Sequence, residues 1–282
     1  MRTVPVRLII FCCIIVTFTS CSSSNLQDKR SHSMEGQEDF SWPGGKRAAV
    51  SLTFDDARFS QVDQGLPILD EYDTKATFYV SIRYLEERLD EWKRAVANGH
   101  EIGNHSLTHP CSGNFPFARE RALEGYTLDR MRDELEEANN IIERLLNVRP
   151  VTYAYPCGQK FVGRGRNVKS YVPIVAEEFL TGRGWMDEWA NDPKFCDMAQ
   201  LMGVELDGKD FEQVKKLIDR TSADGGWLVF CGHEIGEGGR QTTLSSTLKA
   251  LCEYAQDPAN GLWLDTVENV ARYITKQRTE TG

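Results

Sequence analysis

Two adjacent carboxylates, Asp55 and Asp56, close the apolar run VSLTF at residues 50–54. Like charges side by side at the end of a strand are costly unless a cation takes up one of them. Further along, HEIGNHSLTHP holds three of the chain's five histidines, with His105 and His109 four residues apart. On a helix or a tight turn that spacing lets two imidazoles converge. Two imidazoles and one carboxylate make a three-ligand set with room for water, which is how a catalytic zinc site is built. Beside a divalent ion two carboxylates no longer repel at full strength, so one aspartate can hold the ion while its neighbour acts as base. A zincin motif, H-E-x-x-H, is not met. His105 lies five positions after His100, and His105 and His109 enclose Ser106, Leu107 and Thr108 with no glutamate. Gly103 and Pro110 also disfavour a long helix here.

These residues need strand ends to hold them. From Lys46 onward apolar runs alternate with amphipathic stretches, and strands are predicted at Ala48–Phe54, Ala76–Val80, Glu101–Asn104, Val151–Tyr155, Phe179–Thr181, Trp227–Cys231 and Leu262–Leu264. The clearest helix runs from Thr127 to Asn147, where Leu128, Met131, Leu135, Ala138, Ile142 and Leu145 recur at intervals of three and four. Strand–helix alternation means an α/β fold with a parallel sheet, open or closed into a barrel, whose ligand chemistry gathers at the C-terminal strand ends. Asp55 and Asp56 stand at such an end.

Taken together, TFDD, NHSLTH, YPCG and a late FCGH occur in the order and approximate spacing of the polysaccharide deacetylases of carbohydrate esterase family 4, the NodB-like group. The resemblance covers roughly residues 46–275. It implies a distorted (β/α)7-type barrel and metal-dependent hydrolysis of N-acetyl groups on a glycan, with an Asp base, a His acid and metal-bound water. Carried over by motif, Asp55 matches the catalytic base, Asp56 the metal-binding aspartate, His105 and His109 the metal-binding histidines and His233 the catalytic acid. Cys157 occupies the position whose backbone N–H helps stabilise the oxyanion. His100 matches no ligand and is read as structural. The implied cofactor is one divalent ion, Zn²⁺ first, though two imidazoles and a carboxylate suit Co²⁺, Ni²⁺ and Fe²⁺ as well. The chain departs from the pattern at Ala154, where the family's third motif often begins with an arginine that holds the base. Arg183 in TGRGW is a candidate substitute, and Asp187 or Asp192 is a candidate partner for His233. Rival functions on the same barrel are a non-catalytic glycan- or metal-binding lipoprotein, which Ala154 makes thinkable, and an esterase removing O-acetyl groups from xylan.

The 282 residues suffice for one domain with extensions. Residues 1–20 carry Arg2 and Arg7 around the apolar LIIFCCIIV and precede Cys21, which resembles a bacterial lipoprotein signal peptide with Cys21 lipidated. Residues 21–45 read as a flexible tether, 46–275 as the deacetylase domain and 276–282 as a tail. An exported lipoprotein of the periplasm or cell envelope is expected, touching a membrane only through its lipid. The formal charge of −9 disfavours a nucleic-acid partner and leaves neutral or cationic partners open, and the resemblance implies an acetylated polysaccharide or oligosaccharide. Beyond Cys21 five cysteines remain, an odd number; Cys157 and Cys231 either pair or pack as small hydrophobes. Trp42, Trp185 and Trp189 either stack on sugars or pack inside the domain, packing being the default.

Overall fold

A computed structural model describes residues 40–280. The expected signal peptide at 1–20, Cys21, His32 and all of the expected tether up to residue 39 lie outside the described residues.

All seven expected strands are present. In chain order the main sheet contains β1 (Ala48–Asp55), β2 (Thr77–Val80), β3 (Glu101–Asn104), β4 (Thr152–Ala154), β5 (Thr181–Arg183), β6 (Val204–Glu205), β7 (Trp227–Gly232) and β8 (Leu262–Leu264). Their order is β5-β4-β3-β2-β1-β7-β6, with β8 pairing the first half of β1, and every pairing in this sheet is parallel. Every residue of β1 is buried, as expected for a strand covered on both faces, and this is why it reads as a continuous apolar run. The sheet is curled. Leu201 bridges Arg183 of β5 while Val204 and Glu205 pair with β7, so one short segment spans the two ends of the sheet. β6 was not expected, because two residues are too few for any periodicity. β5 sits two residues beyond its expected start, since Phe179 instead ends the preceding helix and packs on Tyr153.

The helices are α1 (Leu66–Glu71), α2 (Ile82–Glu87), α3 (Leu89–Ala97), α4 (Leu128–Leu146), α5 (Val172–Glu178), α6 (Phe211–Asp224), α7 (Ser245–Gln256) and α8 (Val267–Glu280). α4 shows how sequence sets an element. Thr127 caps its start by accepting from the Arg130 N–H, Asn147 ends it in the left-handed conformation, and Met131, Leu135, Ala138, Ile142 and Leu146 face the core. Glu101 fastens the bottom of the sheet. It accepts from the hydroxyls of Thr77 (2.7 Å) and Thr152 and from the Glu268 N–H (2.9 Å), joining β2, β3, β4 and α8.

Two expected boundaries move. Phe40–Gly45 belongs to the fold rather than to a tether: Trp42 is buried among the aromatic rings of Phe40, Trp263 and Tyr273 and its indole donates to the Gly225 carbonyl. α8 runs past residue 275, and Arg278 on it donates to the carbonyls of Pro193 and Cys196. Among the described residues no helix is long and apolar enough to cross a membrane.

Candidate active site

The ends of β1, β2, β3, β4, β5 and β7 each deliver part of a single cavity of about 620 Å³. Asp55 is the last residue of β1 and Asp56 begins the turn after it, in the left-handed region at φ 76°, followed by Ala57 at φ 59°. Consecutive left-handed residues without glycine cost about 1–3 kcal/mol each, and such strain persists only where surroundings hold it. Here the Asp56 N–H donates to the Tyr79 carbonyl (2.9 Å), and the buried amide of Gln61 donates both to the Asp55 carbonyl (2.6 Å) and to the His233 carbonyl (2.8 Å). Gln61 thus ties the end of β1 to the end of β7. The twist turns neighbouring aspartates toward different partners.

Asp56 faces the histidines. Its Oδ1 lies 3.6 Å from His105 Nε2 and 3.4 Å from His109 Nε2, and its Oδ2 accepts from Arg58 Nη2 at 2.9 Å. His105 follows β3 directly, while Ser106 (φ 66°) and His109 (φ 53°) bend the chain so that the two rings stand 4.8 Å apart. No helix forms between them, as Gly103 and Pro110 indicated. Ser106 Oγ accepts from the His109 N–H and closes the turn. Burial pushes the Asp56 carboxyl up, but the charges of His105, His109 and Arg58 outweigh it and bring its pKa down to about 2. Burial, helped by His105, pushes His109 down to about 4 against the pull of Asp56 and Asp55, so its imidazole is neutral at neutral pH. His105 Nδ1 is 2.9 Å from the Ala154 carbonyl, which can only accept; the proton is therefore on Nδ1 and Nε2 turns its lone pair toward Asp56. One ligand atom from each of Asp56, His105 and His109 lies within 4.8 Å of the others. This donor set fits a divalent cation.

Asp55 faces the other way. Its Oδ1 accepts from Arg183 Nη2 in a pair whose side chains are 5% and 0% exposed. Arg183 on β5 is in register with Ala154 on β4, so the guanidinium reaches Asp55 from one strand beyond Ala154. The room comes from Gly203, where a Cβ would meet the Arg183 Cδ at 2.7 Å and Cys231 Sγ at 2.4 Å. The guanidinium also lies over the Tyr79 ring, 4.8 Å from its centre.

His233 follows β7. Its Nδ1 is 2.7 Å from Asp207 Oδ2, and Asp207 Oδ1 accepts from the His233 N–H (3.2 Å) and the Thr243 hydroxyl (2.9 Å). Burial pushes the imidazole's pKa down, but the hydrogen bond to Asp207 and the charges of Asp55 and Asp207 outweigh it, and the net shift is upward. The partner of His233 is therefore neither Asp187, which accepts from the Gly203 N–H, nor Asp192, which accepts from the Lys194 N–H. Asp207 had only a faint signal, since it follows the short segment GVEL, in which Val204 and Leu206 alternate with Glu205. Arg58 and Gln61, which brace the aspartates, had none.

Cys157 lines the cavity in the left-handed conformation at φ 54°. It pairs with Cys111, 46 residues away, with the two Cα atoms 6.2 Å apart, and so not with Cys231, which is buried and free beside Arg183. The disulfide joins the turn after β4 to the loop that carries His109. His100 is buried elsewhere, its Nδ1 accepting from the Ala76 N–H and its Nε2 3.2 Å from Asp70. Of the tryptophans, Trp185 lines the cavity with its ring 5.4 Å from that of His233, Trp189 is half exposed under Arg220, and Trp42 packs inside.

Residues 43–170 match the family model described as polysaccharide deacetylase. The chain is 24% identical over 264 residues to a gellan lyase from a Bacillus species, covering 84% of this chain and 10% of that protein. It is 41% identical over 63 residues to a chitooligosaccharide deacetylase of Sinorhizobium fredii, covering 22% of this chain and 29% of that one. A family 4 acetyl xylan esterase from Clostridium thermocellum, solved with a cobalt ion, shares the fold at a TM-score of 0.52 and 18% identity, covering 79% of this chain and 89% of that chain. The chain spans between 10% and 40% of the length of these and similar curated relatives.

Proposed function

We propose that this chain is a polysaccharide deacetylase of carbohydrate esterase family 4 and that it removes N-acetyl groups from a glycan. The observation that carries the reading is the division of labour between neighbours: Asp56 is turned into the paired imidazoles while Asp55 is turned onto a buried arginine. Asp56, His105 and His109 would hold a divalent ion, Zn²⁺ first and Co²⁺, Ni²⁺ or Fe²⁺ as alternatives. Bound there, such an ion supplies Lewis acidity, acidifying water and polarising the acetamide carbonyl.

Asp55, held in place by Arg183, takes a proton from the attacking water, whose oxygen forms a bond to the acetamide carbon. Charge gathers on the carbonyl oxygen, and the N–H of Cys157, a residue tied by its disulfide at the cavity wall, would stabilise it. The C–N bond breaks only when its nitrogen is protonated, and His233, charged with the help of Asp207, gives that proton. The products are acetate and a free amino sugar. Phe115 and Phe117, 38% and 56% exposed at the cavity wall, offer faces on which sugar rings can lie.

The test is acetate release by the purified protein, with and without added divalent ion, from chitooligosaccharide, other N-acetylated glycans and acetylated xylan. Acetate from the amides supports the reading, and acetate from xylan alone would make the protein an O-acetyl esterase. No acetate from any substrate would leave a non-catalytic binding protein. The proposal extends to location: Arg2, Arg7, the apolar run after them and Cys21 support an exported lipoprotein of the cell envelope. Incorporation of labelled fatty acid that disappears in Cys21→Ser tests it.

A further inference from the structure

The cavity is lined by three arginines brought from three separate segments: Arg58 after β1, Arg121 in the loop between His109 and α4, and Arg240 before residues Thr242–Leu244. This is against the background of the chain, whose formal charge is −9. Arg58 is engaged, donating to Asp56 and to Glu234. Arg121 and Arg240 are not. Neither guanidinium makes a hydrogen bond or ion pair among the described residues. The carboxylates that line the cavity cannot serve them, because Asp55 is held by Arg183 and Asp56 by Arg58 and the imidazoles. Two uncompensated guanidiniums on the wall of one cavity describe the complement of an anion.

We infer that the natural substrate is an anionic acetylated glycan, one whose sugars carry an oxyanion group, carboxylate or sulfate, that the Arg121 and Arg240 guanidiniums bind. The inference rests on the glycan-hydrolysing reading above and narrows it from acetylated glycans at large to charged ones. Planar guanidinium forks match both oxyanions.

The experiment is calorimetric titration of the whole chain with three oligosaccharides of equal length. One is neutral N-acetylglucosamine, one alternates N-acetylglucosamine with glucuronate, and one is 6-sulfated N-acetylglucosamine. At least one anionic oligosaccharide should bind about tenfold or more tightly than the neutral one, since a hydrogen bond to a charged group is worth that much. The preference should shrink as salt is raised from about 0.05 M to about 0.5 M. It should fall toward equality in Arg121→Gln combined with Arg240→Gln. The single variant Arg240→Gln, at an exposed position where folding is not at stake, should lose part of it. The arm that binds identifies the carboxylate or the sulfate. Equal binding of charged and neutral oligosaccharides, or a preference that survives the double variant, would overturn the inference. Acetate release measured beside it separates the two claims. Acetate released as readily from the neutral glycan as from the charged ones counts against this inference and leaves deacetylation standing. No acetate from any glycan, with the charge preference intact, removes deacetylation and leaves the anion site.

Discussion

Replacing Arg183 is the sharpest perturbation of the site that leaves every ion-binding residue in place. Arg183 is fully buried and its partner Asp55 is 4% exposed, so Arg183→Gln strands a carboxylate where water cannot compensate it. Removing one member of a buried, hydrogen-bonded pair costs about 3–5 kcal/mol, most of it the desolvation of the charge left behind. For a domain of this length that is a fall in Tm of roughly 6–20 °C. Turnover should fall as well, because the base loses the contact that aims it. Thermal unfolding followed by circular dichroism gives the first quantity and acetate release the second. Asp55→Asn with Arg183→Gln completes a double-mutant cycle, and the coupling should be about 2 kcal/mol or more, since the double variant leaves no naked charge. A swap tests the register argument. With Ala154 and Arg183 opposite each other on adjacent parallel strands, Ala154→Arg combined with Arg183→Ala puts the guanidinium back within reach and should recover part of the lost activity. An Arg183→Gln protein that melts within about 2 °C of the parent and turns over normally would refute the reasoning.

The remaining predictions concern the acid and the disulfide. Turnover should fall as pH rises through the raised pKa of His233; Asp207→Asn removes the largest contribution to that rise, so the falling limb should move to lower pH, seen in a pH–rate profile. The stability that goes with the raised pKa is fully present below the unfolded value of about 6.5 and is lost as pH climbs through the folded one, and melting curves of Asp207→Asn should lack that dependence. Reducing Cys111–Cys157, or Cys111→Ser, should lower stability by up to about 4 kcal/mol for a loop of 46 residues, measured by urea unfolding with and without dithiol. Activity should fall more steeply than stability explains, since the same bond fixes Cys157 beside the cavity.

Much of this was legible in the chain. Long buried strands such as β1 and β7 announce themselves as apolar runs, and α4 carries its period and both caps in sequence. Motif spacing placed Asp55, Asp56, His105, His109 and His233 as candidates, and the fold gathers all five at one cavity. What escaped depends on contacts between distant segments. β6 is two residues long and exists because the sheet curls until its ends meet. Arg183 could be named as a substitute for the missing arginine, but only the register of β4 and β5 shows how it reaches Asp55. The pairing of Cys157 with Cys111 rather than Cys231 follows from loop approach, about which spacing is silent. Asp207 lies two residues beyond β6 and was hidden by the brevity of that strand.

Bound divalent ion and acetate turnover, measured together on Asp55→Asn and Asp56→Asn, test the central claim most directly. The account predicts that Asp55→Asn keeps one ion per chain while its turnover drops about 10²–10⁴-fold, and that Asp56→Asn fails to hold the ion at all. Equal ion content in the two variants, whether both full or both empty, would contradict it.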